Sequence, residues 1–418
     1  MLLSLLIVAV YLLLFTKSPE KCLALVLIWY PTILLFPICR GIQVSTLLIY
    51  ILLFYALVYQ SNYKAKYFPL LLPFCICVFS YLISSLFGLK ISFGIFRMIE
   101  QYVLAFVIWL LYKPTSENNR FLFCHFIIYL VILNIYAIFE AFSFMNPVLD
   151  YLRSGGGNYP EQGETYVRYG IYRAQSMTIW TSILGMTSAV GAFFLHFSYF
   201  KGYVKGNLFL WICVGLCLIG IFISGTRTVI VFFIFASFSF FSYFRRMKVL
   251  FLILLCLAPL LFFIGDYLAL VMDSFLNPED TGGSSVEMRG LQFLVAFNYW
   301  MNSPIVGNGL GYTDFLVDQK VGLLGAESIV FQLLIDRGIL GAFSFVFLYG
   351  YAILILYRME MFKVSFFILA FAFGKISSLI PSLTEAYIFS YVILIIKFNQ
   401  SIKFEFVKKV LLRRYFNF

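Results

Sequence analysis

Residues 121–145 read FLFCHFIIYLVILNIYAIFEAFSFM, with Glu140 the single acidic or basic side chain in the run apart from His125. As an α-helix rising about 1.5 Å per residue, this segment exceeds the roughly 30 Å of a bilayer's hydrocarbon core. Comparable apolar blocks recur at 2–16, 21–38, 42–59, 67–88, 92–112, 176–199, 207–224, 227–244, 249–265, 338–357, 364–380 and 384–397. None alternates with period two, which excludes a β-barrel. The whole 418-residue chain is 62% hydrophobic and 12% charged, against about 45–50% and about 25% for a soluble domain. With a mean hydropathy of +0.96, there is too little polar surface to cover a soluble core. The chain reads as an all-α, polytopic integral membrane protein with 12–13 transmembrane helices, twelve if one block is re-entrant.

The sparse charges then locate the two sides. Placing Arg245-Arg246-Met247-Lys248 in the cytoplasm and alternating outward gives that side 19 of the 30 basic residues but only Glu20, Glu117, Glu360 and Glu405 of the 19 acidic ones. The net charge of +11 is therefore a positive-inside signature and not a nucleic-acid footprint. The basic stretch 397–414 reads as a cytoplasmic tail against anionic headgroups. Met1–Phe15 lacks a basic lead-in and a small-residue cleavage site, and reads as an uncleaved span. The resulting division is 1–145 N-terminal spans, 146–175 first outer loop, 176–265 central spans, 266–337 second outer loop, 338–398 C-terminal spans and 399–418 tail. No pair of broken helices of the transporter kind is visible. The eight cysteines lie in or beside apolar blocks and read as small packing residues, with no disulfide framework and no metal-ligand spacing.

The first outer loop carries Ser154-Gly155-Gly156-Gly157-Asn158-Tyr159-Pro160, then delivers Arg168, Gly170 and Arg173 just before the next block. A guanidinium fork at the membrane surface binds phosphate or pyrophosphate oxygens bidentately without losing its charge. The alternative is that these arginines anchor the interface or pair with Glu161 and Glu164. Ser224-Gly225-Thr226-Arg227 joins two blocks with almost no loop. Hydroxyls and helix-start amides beside an arginine form an anion site, against the simpler reading of a snorkelling side chain. Within the blocks, Arg97 and Glu100 are three apart and read as an ion pair that Glu140 joins.

In the second outer loop, Leu291, Leu294, Val295, Phe297 and Trp300 have amphipathic helical spacing. Asn302-Ser303-Pro304 ends that helix and Gly307-Asn308-Gly309-Leu310-Gly311 forms a compact turn. Gly325-Ala326-Glu327-Ser328 then opens a helix that docks back on the membrane, closing with Asp336-Arg337-Gly338. Neither outer loop holds a histidine, so a base acting there is a carboxylate. Glu327 is the candidate, against its plainer reading as a helix-start residue stabilised by the helix dipole.

Ser224-Gly225-Thr226-Arg227 resembles the Ser-x-x-Arg span entrance of the O-antigen polymerase (Wzy) and O-antigen ligase (WaaL) superfamily. Arg289…Trp300…Pro304-Ile305-Val306-Gly307-Asn308-Gly309 resembles its Arg…Trp…hPhhGxG segment. Glu327-Ser328…Gly338-Ile339-Leu340-Gly341 is similar to the segment that in ligases begins His-Asn and ends Gly-hh-Gly. Arg173, with Gly185 in the following block, is similar to the family's earlier arginine. Glutamate at the ligases' histidine position is more like the polymerases.

The resemblance implies a metal-independent, cofactor-free inverting glycosyltransferase acting on undecaprenyl pyrophosphate-linked glycans at the periplasmic face of a bacterial inner membrane. Glu327 would be the general base, with Arg227 and Arg289 catalytic. Arg168, Arg173, Arg227, Arg289 and Arg337 would bind pyrophosphate or glycan. Implied partners are lipid-linked donor and acceptor glycans, membrane lipids, and a chain-length regulator and flippase of the same pathway. An O-antigen ligase of the same superfamily is the alternative, and a lipid-linked oligosaccharide flippase or transporter is the alternative from another class.

Overall fold

Helix starts and stops follow from local backbone chemistry. The computed structural model describes residues 2–39, 42–59, 67–87, 94–154, 167–168, 171–204, 206, 208–238, 286–319, 328–377 and 383–415. In order the elements are α1 (Leu2–Lys17), α2 (Pro19–Ile33), β1 (Pro37–Cys39), β2 (Ile42–Gln43), α3 (Val44–Tyr59), α4 (Leu71–Phe87), α5 (Gly94–Leu111), α6 (Ser116–Ser143) and α7 (Pro147–Ser154). There follow β3 (Val167–Arg168), β4 (Ile171–Tyr172), α8 (Thr181–Phe200), α9 (Leu208–Ile223), α10 (Arg227–Phe238), α11 (Val286–Asn302), α12 (Tyr312–Asp318), α13 (Ile329–Arg358), α14 (Phe362–Ser377) and α15 (Leu383–Tyr415). Hydroxyl caps set several starts. Ser18 accepts from the Lys21 amide, Thr115 from Asn118 and Ser328 from Val330. The strands form two short antiparallel hairpins.

The chain is an all-α polytopic membrane protein. Among the described residues, α6, α8 and α13 are long and apolar enough to cross a bilayer on their own, and the other apolar helices are shorter. An apolar block is thus not always a continuous helix. The block at 21–38 stops being helical at Ile33 and turns into β1, and the block at 176–199 becomes helical only at Thr181. The non-helical ends lie inside protein, where backbone groups find partners that lipid cannot supply. The block at 249–265 lies outside the described residues. Residues 384–397 and most of the basic tail form one helix, α15, where a span and a separate tail were expected.

Small residues let the helices approach. Asn134 on α6 donates to Leu130 O at 2.8 Å and accepts from Ser188 on α8 at 2.9 Å. Gly220 on α9 packs directly on this amide, leaving no room for a β-carbon. The aromatic core stacks Phe126, Phe194 and Tyr391 from α6, α8 and α15. At the far end of α5, Lys397 donates to Ile108 O at 3.2 Å and to Trp109 O and Tyr112 O at 2.5 Å each. These carbonyls close the helix at the negative end of its dipole, where Ile108 O also accepts the Tyr112 amide at 3.1 Å. Lys397→Met is expected to cost about 1.5–3 kcal/mol, read as a lower thermal midpoint in detergent. An unchanged midpoint would remove this clamp from the account.

The expected amphipathic helix is present as α11. Leu291, Leu294 and Phe297 are 57%, 58% and 40% exposed, whereas Val295 and Ala296 pack with Leu316 and Ile335, and Gln292 is buried. An apolar stripe marks the face that leaves water, and it does not say whether protein or lipid receives it. The docking helix and the apolar block from 338, expected as separate pieces, meet at a sharp break. Gly338 has φ 60° and ψ −154° inside α13, so the segment 329–337 and the membrane helix beyond it run as two pieces.

Candidate active site

Glu140, near the end of α6, is buried, and its described bonds build a backbone segment. Its carboxylate accepts the Tyr172 hydroxyl at 3.2 Å, the Gln175 amide at 3.1 Å and the Ser176 amide at 2.5 Å. The Ser176 hydroxyl donates to Leu133 O at 2.6 Å, and Asn146 donates to Ser176 O at 3.0 Å. This fixes the non-helical stretch ahead of α8, including Ser176 at a left-handed φ of 56°. Glu140 was expected to join Arg97 and Glu100; its described partners lie here instead, and Glu100 accepts from Thr46 at 2.5 Å. The Arg97 side chain lies outside what is described.

The segment so held carries Arg173. The Ala174 amide donates to Ile223 O at 3.2 Å, drawing Arg173 onto the α9–α10 turn. Its Nη2 donates to Thr181 Oγ1 at 3.0 Å and Thr226 Oγ1 at 3.2 Å, and its Nε to Ser224 O at 3.4 Å. Gly225 sits at φ +58°, and a β-carbon there would lie 2.7 Å from Arg173 Cγ. Gly185 leaves space for Ser224, since a β-carbon would lie 2.6 Å from its hydroxyl. Arg173, Gly185 and Ser224-Gly225-Thr226, singled out separately in the sequence, are therefore one unit, and Arg227 is the first residue of α10 beside it. The alternative pairing of Arg173 with Glu161 or Glu164 involves residues outside those described.

A second polar centre forms where α13 breaks. The kink at Gly338 frees carbonyls that a continuous helix would satisfy. The segment 304–311 supplies and uses the missing bonds: Asn308 N donates to Ile335 O at 2.8 Å, Gly309 N to Asp336 O at 3.1 Å, and Ile339 N to Pro304 O at 2.9 Å. Gly307 and Gly338, both at positive φ, touch backbone to backbone with no room for side chains. The Asp336 carboxylate completes the joint, accepting Thr313 N at 2.7 Å, Thr313 Oγ1 at 2.6 Å and Gly311 N at 3.2 Å. Asp336 is thereby committed to holding this loop.

Arg337 follows Asp336 and turns into the bundle. Its guanidinium lies 4.0 Å from the centre of the Tyr81 ring. It lines a cavity of about 60 Å³ with Tyr102, Asp314, Gln332, Lys375 and Glu385 among others. Lys375, fully buried on α14, pairs with Glu385 of α15 at 2.5 Å, and Tyr349 donates to the same carboxylate at 2.9 Å. Lys375 and Glu385 went unremarked in the sequence. Two charges inside apolar blocks, ten residues apart across a short connection, were the signal available.

Both centres lie at one end of the bundle. Ile183 and Met186 from the first turns of α8 line one small cavity with Thr384 and Tyr387 from the first turns of α15. Of the remaining candidates, Arg168 lies in β3, Arg227 opens α10 and Arg289 lies in α11, with side chains outside what is described. Glu327 also lies outside the described residues. Ser328, its neighbour, caps α13: its hydroxyl accepts from Val330 N at 3.2 Å and donates to Ile376 O at 2.6 Å. Serine and asparagine are comparable N-caps, which accounts for serine here where the ligases have asparagine. Among the described residues, no three His, Cys, Asp or Glu side chains converge as metal ligands would.

Residues 212–346 match the family model Wzy_C, described as O-Antigen ligase. The match supports the O-antigen polymerase and ligase superfamily. No curated protein and no solved structure matches the chain. The Wzy_C region contains Ser224–Arg227, Arg289, the 304–311 segment, Glu327 and Arg337. It excludes Arg173 and Glu140, which reach the Wzy_C residues only through the fold. The chain is an integral membrane protein, and the match over residues 212–346 supports a membrane glycosyltransferase-like superfamily.

Proposed function

We propose that this protein is an O-antigen polymerase, joining undecaprenyl pyrophosphate-linked repeat units at the periplasmic face of the inner membrane. The observation that carries the reading is the union of Arg173 with the Ser224–Thr226 turn of the Wzy_C region, beside the start of α10 at Arg227. An acceptor sugar hydroxyl attacks the anomeric carbon of the growing chain, the glycosidic bond to pyrophosphate breaks, and undecaprenyl pyrophosphate leaves. Arg173, Arg227 and Arg289 hold the leaving group, and Arg168 extends the same basic surface. Preorganised donors aimed at developing charge are the largest single contribution such a site makes. Glu327 takes the hydroxyl proton; partial desolvation would raise its pKa from the ordinary value near about 4.3 to one suited to the task. Donor and acceptor glycans, membrane lipids, a chain-length regulator and a flippase are the proposed partners.

The description of the matching family as O-antigen ligase favours a second reading, an O-antigen ligase. Glu327-Ser328 in place of His-Asn supports the polymerase. The lipopolysaccharide ladder of a deletion strain separates the two. A single repeat unit on core is the expected result; bare core with accumulating lipid-linked polymer would establish the ligase. A transporter is supported less well, since Arg173 and the Arg337 cavity gather at one end of the bundle and do not line a path through it.

Sidedness rests on the split of basic residues. Cysteines placed at Ser154 and Ser284 are expected to react with a membrane-impermeant thiol reagent in spheroplasts, and one at Ser401 is not. Labelling at Ser401 with protection of Ser284 would invert the topology and move the site to the cytoplasm.

A further inference from the structure

The ion pairs around the Arg337 cavity leave one group unaccounted for. Asp336 is saturated by Gly311 and Thr313, and Lys375 and Glu385 neutralise each other with Tyr349 as a third partner. Arg337 is only 7% exposed, and its Nη1 makes no hydrogen bond among the described residues. One face of the guanidinium is covered by Tyr81, whose hydroxyl is itself held by Gln101 at 3.2 Å. A buried cation with an unmet donor is costly until a ligand or solvent atom completes it.

The lining indicates what completes it. Arg337 and Lys375 face three carboxylates, those of Asp314, Asp336 and Glu385. A pyrophosphate, with its multiple negative charges, would enter a wall that already carries an excess of negative charge. A ligand with many hydroxyls and little charge meets matched chemistry. Gln332 both donates and accepts, Asp314 accepts from hydroxyls, and Arg337 donates to oxygen. A space of about 60 Å³ corresponds, at about 10–15 Å³ per water, to roughly four to six waters. One sugar ring with its hydroxyls displaces a cluster of that order.

We propose that this cavity is a subsite for one monosaccharide residue of the lipid-linked glycan, with Arg337 Nη1 donating to a sugar oxygen. It is separate from the oxyanion-binding turn at Arg173. The inference rests on the glycosyltransferase reading above and divides that site into a pyrophosphate part and a glycan part. The Asp336 joint couples the subsite to the 304–313 segment, so the loop that closes over the cavity also sets the Arg337 position.

Binding by the purified full-length protein in detergent tests this, using two probes: undecaprenyl pyrophosphate alone, and the same lipid carrying one repeat unit. Arg337→Gln is expected to weaken binding of the glycan-bearing lipid by about 10- to 100-fold, the worth of a charged hydrogen bond, and to leave the bare lipid unaffected. Gln332→Ala, at a half-buried position, is expected to act in the same direction more weakly, and serves if the Arg337 variant fails to fold. Unchanged binding of the glycan-bearing lipid by both variants would overturn the subsite. Equal loss of both lipids in Arg337→Gln would also overturn it, making Arg337 a pyrophosphate ligand. If the wild-type protein binds neither lipid, the glycosyltransferase reading itself falls, and this inference with it.

Discussion

Replacing Glu327 by glutamine is expected to lower the rate of in vitro polymerisation by roughly 10²–10⁴-fold, the usual contribution of a positioned general base. Glutamine keeps the shape and one acceptor oxygen but takes no proton. Aspartate shortens the reach and is expected to lose less. Histidine is expected to retain part of the activity, because the resemblance to the ligases implies that imidazole does the same work at this position. The competing explanation, that Glu327 serves the start of α13, is weakened by Ser328, whose hydroxyl already caps that helix. A helix-dipole role would make Glu327→Gln worth at most about 1 kcal/mol of local stability and leave polymerisation intact. Purified lipid-linked repeat units and variants of equal abundance decide the matter. Near wild-type turnover for Glu327→Gln would move the base to another carboxylate such as Asp314, since Asp336 is engaged by Thr313 and Gly311.

Arg173→Lys and Arg227→Lys are each expected to lose roughly 10²–10³-fold in turnover, nearly as much as the alanine variants. Arg173 spreads its fork across Thr181, Ser224 and Thr226, from the starts of α8 and α10 and the end of α9. A lysine ammonium is a point charge that cannot reach all three and still offer a planar edge to an oxyanion. A purely structural Arg173 behaves differently: lysine would lower the thermal midpoint while the folded fraction kept its full turnover. That outcome, or wild-type rates for Arg227→Lys at normal protein level, would remove the corresponding arginine from the mechanism.

Much of the site was legible as separate fragments. Ser224–Arg227, the 304–311 segment, Ser328 and Gly338–Gly341 each stood out because their residue types are unusual beside apolar blocks. Their assembly was not legible. The 304–311 segment and the region around Gly338 read as two motifs, yet they are the two halves of one hydrogen-bonded joint. The three donors to Asp336, at positions 311 and 313, are distant from it in sequence. The stripe on α11 reported avoidance of water without saying which side chains protein would cover, and Gln292 is buried while Leu291 and Leu294 are exposed.

What the sequence alone determined is embedding: that apolar blocks leave water and that the chain is an all-α membrane protein. Those properties are sums over neighbouring side chains, since transfer into lipid is additive along the chain and an unbroken spanning helix satisfies its interior backbone groups itself. What only the tertiary structure decided is convergence. Glu140 sets the backbone that aims Arg173, and Arg173 reaches Thr226 across more than fifty intervening positions. Arg337 acquires its cavity from α4, α14 and α15. Directional bonds between buried polar groups depend on where distant helices end relative to one another, and hydropathy carries no record of that distance.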